Sequence, residues 1–82
     1  MAYSIYVADD EKNIRELLKN FLQSDGYEVS AYDTGDLLLA AFEMEPADLV
    51  ILDIMMPGRD GIECVKELRK YSDVPIILLT AK

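Results

Sequence analysis

Four groups in this chain have the type and placement to do chemistry: the adjacent carboxylates Asp9 and Asp10, the carboxylate of Asp53, and the hydroxyl of Thr80. Each follows an apolar run, Tyr3 to Ala8 before Asp9, Leu49 to Leu52 before Asp53, and Ile76 to Leu79 before Thr80. An ionised carboxylate at the tip of a buried segment is costly without a partner, so it is either held by hydrogen bonds and cations or kept for chemistry. Two carboxylates about 6 Å apart repel by roughly 3 kcal/mol at an effective dielectric of about 20, so a cluster of them requires a bound cation or raised pKa values. A hard divalent cation resolves the conflict, and magnesium suits an open acidic crevice because it takes a carboxylate or two, several waters and a phosphate oxygen. The ion also screens the charge that keeps a carboxylate nucleophile away from a phosphoryl donor. Phosphoryl transfer to Asp53 is therefore the leading chemistry, with Thr80 able to donate to a phosphoryl oxygen.

Taken singly, these residues also have plain structural readings. Asp10 suits the N-cap of a following helix, and Asp60 is better read as a cap than as a ligand. The side chains of Met55 and Met56 read as packing groups, and Cys64 as a small buried apolar residue. The combination carries the information.

The elements that must position these groups follow from periodicity. Tyr3 to Ala8 reads as a buried strand. From Glu11 to about Asp25, Ile14, Leu17, Leu18, Phe21 and Leu22 form the stripe of an amphipathic helix, which Gly26 stops. Tyr27 to Tyr32 alternates as a half-exposed edge strand does. Thr34-Gly35-Asp36 starts a second helix with Leu37, Leu38, Ala41 and Phe42 facing inward, ending before Pro46. Asp48 to Asp53 suits a central parallel strand covered on both faces, and Met56-Pro57-Gly58 turns the chain after it. Asp60-Gly61-Ile62-Glu63 has the spacing of a capping box and starts a third helix with Ile62, Val65 and Leu68 inside. Val74 to Leu79 is expected to be another buried strand, with Pro75 near its start.

The order β-α-β-α-β-α-β with short loops implies an α/β fold with an open parallel sheet and right-handed crossovers. Ligands of such sheets gather at the carboxyl ends of the strands, where strand order reverses. If the reversal falls between the first and third strands, Asp9, Asp10 and Asp53 meet in one crevice.

Composition narrows the setting. The chain has 82 residues, 16 acidic and 8 basic, for a net charge of -8, which disfavours nucleic acid and anionic membranes as direct partners. One cysteine precludes an intrachain disulfide, and no leader or long apolar span is visible, so a cytoplasmic setting is expected.

Asp9-Asp10-Glu11, the segment L-V-I-L-D-I-M-M-P-G-R-D-G around Asp53, and I-I-L-L-T-A-K at the end resemble, in order and at matching intervals, the receiver domain of bacterial two-component response regulators. The resemblance covers the whole chain and implies a flavodoxin-like sheet of order 2-1-3-4 with helices on both faces. It implies that Asp53 is the phosphoacceptor for a sensor histidine kinase. It further implies that Asp10 and Asp53 ligate Mg2+ directly, Asp9 through water and Met55 through its backbone carbonyl, with Thr80 as switch hydroxyl and Ala81 the small residue beside it.

Receivers of this kind continue with a fourth helix, a lysine-bearing fifth strand and a fifth helix, so residues 1–82 are expected to be the N-terminal part of a receiver. The parent is expected to regulate transcription through a DNA-binding domain elsewhere. On this reading the fourth strand is an uncovered apolar edge, and the fragment is expected to be a switch-incompetent piece that self-associates as a homo-oligomer or sits against a partner. Three readings compete, one of them a purely structural or designed half-fold that retains the motifs by ancestry. A phosphohydrolase with a strand-end Asp nucleophile has a second acid two residues on, where Met55 stands here. A nucleotide or flavin module would need amide-rich phosphate loops where Asp9-Asp10-Glu11 stands.

Overall fold

Three kinds of punctuation divide the chain: acids at strand ends, glycines at left-handed turns, and polar caps at helix starts. In the computed structural model, which describes residues 2–79, this yields strands β1 (Ser4–Ala8), β2 (Glu28–Tyr32), β3 (Leu49–Asp53) and β4 (Ile76–Leu79) and helices α1 (Lys12–Ser24), α2 (Gly35–Met44) and α3 (Gly61–Arg69). The strands form one parallel sheet in the order β2-β1-β3-β4, as the resemblance implied.

The helix boundaries have local causes. Gly26, at φ 95°, ends α1: its amide donates to the Gln23 carbonyl at 3.0 Å and the Tyr27 amide to the Leu22 carbonyl at 3.2 Å, a Schellman closure that a left-handed residue permits. Thr34 caps α2, its side chain accepting from the Leu37 amide at 3.2 Å. Asp60 and Glu63 form the expected capping box on α3, with the Glu63 amide 2.9 Å from Asp60 Oδ1 and the Asp60 amide 3.3 Å from Glu63 Oε1.

Alternation along β1 and β3 splits the core into two layers. Tyr6, Ala8, Val50 and Leu52 face α2 and α3, where they pack with Leu38, Leu39, Phe42, Cys64 and Leu68. Ile5, Val7 and Ile51 face the other way, joining Val29 beneath Leu18 and Leu22 of α1. The central strands are thus buried on both faces, as continuous apolar runs require.

The two layers are covered unequally, and several inward assignments change as a result. Helix α1 packs over β2 and β1 and buries none of its residues; of its stripe only Leu18 and Leu22 reach the core, while Leu17 and Phe21 are 68% and 64% exposed. One helix spans less width than the apolar arc it carries, so Ile14, Leu17 and Phe21 face outward. In α2 it is Leu39, not Leu37, that joins Leu38 and Phe42 inside; in α3 Cys64 lies beneath the helix while Ile62 is exposed. Strand β4, expected to be buried, holds no fully buried residue, because it pairs with β3 along one edge and no described helix on the α1 side reaches Ile77.

Candidate functional site

The site begins with register. Ala8 of β1 pairs with Leu52 of β3, so the residues that follow, Asp9 just past β1 and Asp53 as the last residue of β3, sit at the same level on neighbouring strands. This is the point at which the chain order reverses, because β1 connects outward to β2 on one side and lies against β3 on the other. Asp10, next along the loop, joins them: each of Asp9, Asp10 and Asp53 offers a carboxylate oxygen within 4.8 Å of the others.

Each carboxylate sits in a different environment. Asp9 is buried, its backbone amide donates to the Tyr32 carbonyl at 3.1 Å, and its Oδ1 accepts from the Glu11 amide at 2.8 Å. Burial pushes its pKa above the ordinary Asp range; the Glu11 amide opposes that rise, and the charges of Asp53, Asp10 and Glu11 add to it. Asp53 is half-buried, and its Oδ1 accepts from the Met55 amide at 3.1 Å. Asp10 is exposed, and it is not the helix cap: that position falls to Glu11, whose side chain makes no capping bond. Its plain reading as an N-cap therefore does not hold.

Among the described residues none of the three carboxylates forms an ion pair. Clustered acids without a neutralising side chain, open at a strand-end crevice, are the donor set of a hard divalent cation, so the residues present fit Mg2+. The loop after Asp53 fits as well. The Ile54 amide donates to the Leu79 carbonyl at 3.0 Å, Gly58 takes φ 71°, and the Gly61 amide closes the loop onto the Ile54 carbonyl at 3.1 Å. A Cβ on Gly61 would lie 2.5 Å from the Asp53 carbonyl oxygen, so only glycine lets α3 start this close to β3. Met56 is buried in the α2/α3 layer as expected, whereas the Met55 side chain is 63% exposed and stays outside the core, contrary to its reading as a packing group. Thr80 and Ala81 lie outside the described residues.

Two cations near the site were not singled out from the sequence. Arg15 Nη1 donates to the Asp9 carbonyl oxygen at 2.8 Å, clasping the loop that carries Asp9 and Asp10; helical spacing alone would have paired Arg15 with Glu11. Arg59, in the loop after Asp53, pairs with Asp36 and Glu67 on two helices, contacts for which local sequence holds no signal.

Comparison with known proteins agrees with this architecture. Residues 5–82 match the family model of the response regulator receiver domain. The Vibrio cholerae chemotaxis protein CheY4 superposes with a TM-score of 0.95 at 33% identity, over 100% of this chain and 71% of that one. The response regulator TrrA of Thermotoga maritima, in a crystal structure in complex with Mg2+-BeF, gives a TM-score of 0.92 at 52% identity, over 100% and 71%. TrrA in complex with the histidine kinase ThkA gives 0.90 at 52% identity, over 99% and 70%. No helix of the described residues is long and apolar enough to cross a membrane. With its sheet order, its strand-end acids and the family match over nearly its whole length, this chain belongs to the response regulator receiver domain family.

Proposed function

We propose that the chain accepts a phosphoryl group on Asp53 from a phosphohistidine of a sensor histidine kinase, in the presence of Mg2+. The observation that carries this reading is the grouping of Asp9, Asp10 and Asp53 within 4.8 Å at the carboxyl ends of β1 and β3, without an ion pair among the described residues. A carboxylate oxygen of Asp53 attacks phosphorus, an acyl phosphate P–O bond forms, the P–N bond to imidazole breaks, and the released electron pair stays on the ring nitrogen. Bound Mg2+ supplies charge neutralisation between the carboxylates and the incoming phosphoryl oxygens. Asp10 and Asp53 would hold it directly, Asp9 through water and Met55 through its carbonyl; the hydrogen bond from the Met55 amide to Asp53 Oδ1, 3.1 Å long, orients the nucleophile. Thr80 is assigned the switch hydroxyl and Ala81 the small residue beside it.

The Mg2+ and kinase complexes of TrrA, at 52% identity, support the ion and the partner. Residues 1–82 are read as the N-terminal part of a cytoplasmic receiver, in keeping with the 71% of CheY4 and 69% of the Methanoculleus marisnigri receiver that the chain covers. The role is signalling rather than turnover. We infer transcription control for the whole protein from the family resemblance alone; a net charge of -8 suits no direct nucleic-acid contact by these residues.

The test is incubation with Mg2+ and acetyl phosphate. One alkali-labile acyl phosphate is expected in the native chain and none in Asp53→Asn, whereas an unmodified native chain in its full-length parent would remove the reading.

A second reading concerns assembly. Ile77 of β4 is 48% exposed, Leu17 and Phe21 of α1 face outward, and β4 pairs with β3 alone among the described strands. We infer that this chain forms a homo-oligomer through β4 and the α1 face. Sedimentation as a monomer at high concentration would refute it.

A further inference from the structure

The loop between β3 and α3 carries the Met55 carbonyl that the proposed function makes a metal ligand, and it is held at three places. At its base the Gly61 amide bonds the Ile54 carbonyl at 3.1 Å. On its inner side Met56 is buried against the start of α2, where a Cβ on Gly35 would lie 3.5 Å from Met56 Cε and 3.2 Å from the Arg59 carbonyl oxygen. On its outer side Arg59 spans two helices. Its Nε donates to Asp36 Oδ1 of α2 at 2.8 Å, and its Nη1 reaches Glu67 Oε1 of α3 at 3.5 Å, an oxygen that Lys70 Nζ also approaches at 3.3 Å.

Met55 itself has no such hold. Its side chain is exposed, and its amide bond to Asp53 Oδ1 ties it only to the carboxylate that would have to turn toward the ion. Where its carbonyl points therefore depends on how firmly residues 56 and 59 are seated. A planar guanidinium that engages two carboxylates at once fixes orientation as well as distance.

We propose that Arg59 is a positioning residue for the divalent-cation site, a strap from the β3–α3 loop to Asp36 and Glu67 that holds the Met55 carbonyl in place for the ion. The inference rests on the reading of Asp9, Asp10, Asp53 and Met55 as the Mg2+ site. Charge alone makes the opposite prediction. Removing Arg59 makes the protein more negative, which by long-range attraction tightens Mg2+ binding, whereas loss of the strap weakens it.

The test is Mg2+ titration of the full chain by calorimetry, with hydrogen exchange of the amides of Ile54, Met55, Met56 and Gly58 measured without metal. Arg59→Met is expected to weaken Mg2+ binding about three- to tenfold and to speed exchange in the loop, with little change in the urea midpoint. Arg59→Lys, which keeps one contact, should fall between. The exchanged pair Asp36→Arg with Arg59→Asp, at unchanged net charge, should restore most of the affinity. Equal or tighter binding in Arg59→Met, or weaker binding with unchanged exchange, overturns the strap and leaves the metal site standing. A native chain that binds no Mg2+ overturns the metal site and the strap together.

Discussion

Ala8 and Leu52 sit opposite each other in parallel register, and that pairing sets Asp9 and Asp53 side by side at the mouth of the sheet. A slip of one residue would turn one acid to the other face of its strand. The carboxylate cluster is thus a consequence of strand pairing, and its mutual repulsion is a load that the apo fold carries.

The first prediction follows from that load. Asp10→Asn is expected to raise the stability of the metal-free protein by about 1 kcal/mol, since Asp10 is exposed and solvent screens most of its repulsion of Asp9 and Asp53. The native chain should gain about 2.7 kcal/mol at a Mg2+ concentration a hundredfold above its Kd, and the variant much less at that concentration. Urea unfolding with and without Mg2+ reads both.

A second prediction concerns Gly35 and Cys64. A Cβ on Gly35 would collide with the Cys64 Sγ, which is fully buried beneath α3. Gly35→Ala is expected to cost about 1–3 kcal/mol. Adding Cys64→Ala, which deletes the clashing sulfur, should recover part of that loss, so that the double variant is more stable than the sum of the singles. Thermal unfolding of the four proteins closes the cycle.

A third prediction is the alkaline limb. Burial pushes the Cys64 thiol from 9.0 up to about 11; Arg59 pulls the other way, and the charges of Asp36, Asp60 and Glu63 add to the rise. An acid whose folded pKa is raised is protonated in the folded state while the unfolded chain already ionises. Its stabilising contribution is therefore complete below pH 9.0 and is lost as pH climbs toward about 11, a fall on the order of 2–3 kcal/mol. Tyr6 and Tyr71, raised chiefly by burial, add to the same slope. Stability measured between pH 8 and 10.5 should fall less steeply in Cys64→Ala, and at pH 8 the native thiol should react with a thiol reagent only after unfolding.

The fourth prediction separates the exposed stripe from the core. Leu17→Ser with Phe21→Ser should change stability by under about 1 kcal/mol, because both side chains are more than half exposed, and should weaken self-association. Leu38→Ala or Leu52→Ala, each at a fully buried position, should cost about 2–5 kcal/mol. Denaturation paired with sedimentation distinguishes the two classes.

Local sequence was sufficient for the elements and for the caps of α2 and α3, though not for the start of α1, where Glu11 and not Asp10 holds the cap position. The Leu49 to Asp53 run, the Asp60/Glu63 box, the Thr34 cap and the Gly26 stop are set by contacts within a few residues, which is why each stands where the pattern put it. Which side of a helix meets the sheet was less legible. Leu17, Leu37 and Ile62 have the hydrophobicity of core residues and lie outside, whereas Leu39 lies inside, because helix rotation is chosen by the surface it packs against.

The same division holds for the site. The sequence by itself determined that acids follow the first and third strands and that α and β alternate, since these depend on residue type and local period. Only the tertiary structure decided that β1 lies against β3, that Asp9, Asp10 and Asp53 come within 4.8 Å, and that Arg59 joins Asp36 to Glu67. Those relationships span tens of residues, and such contacts form only when burial of the sheet offsets the entropy of closing the chain between them.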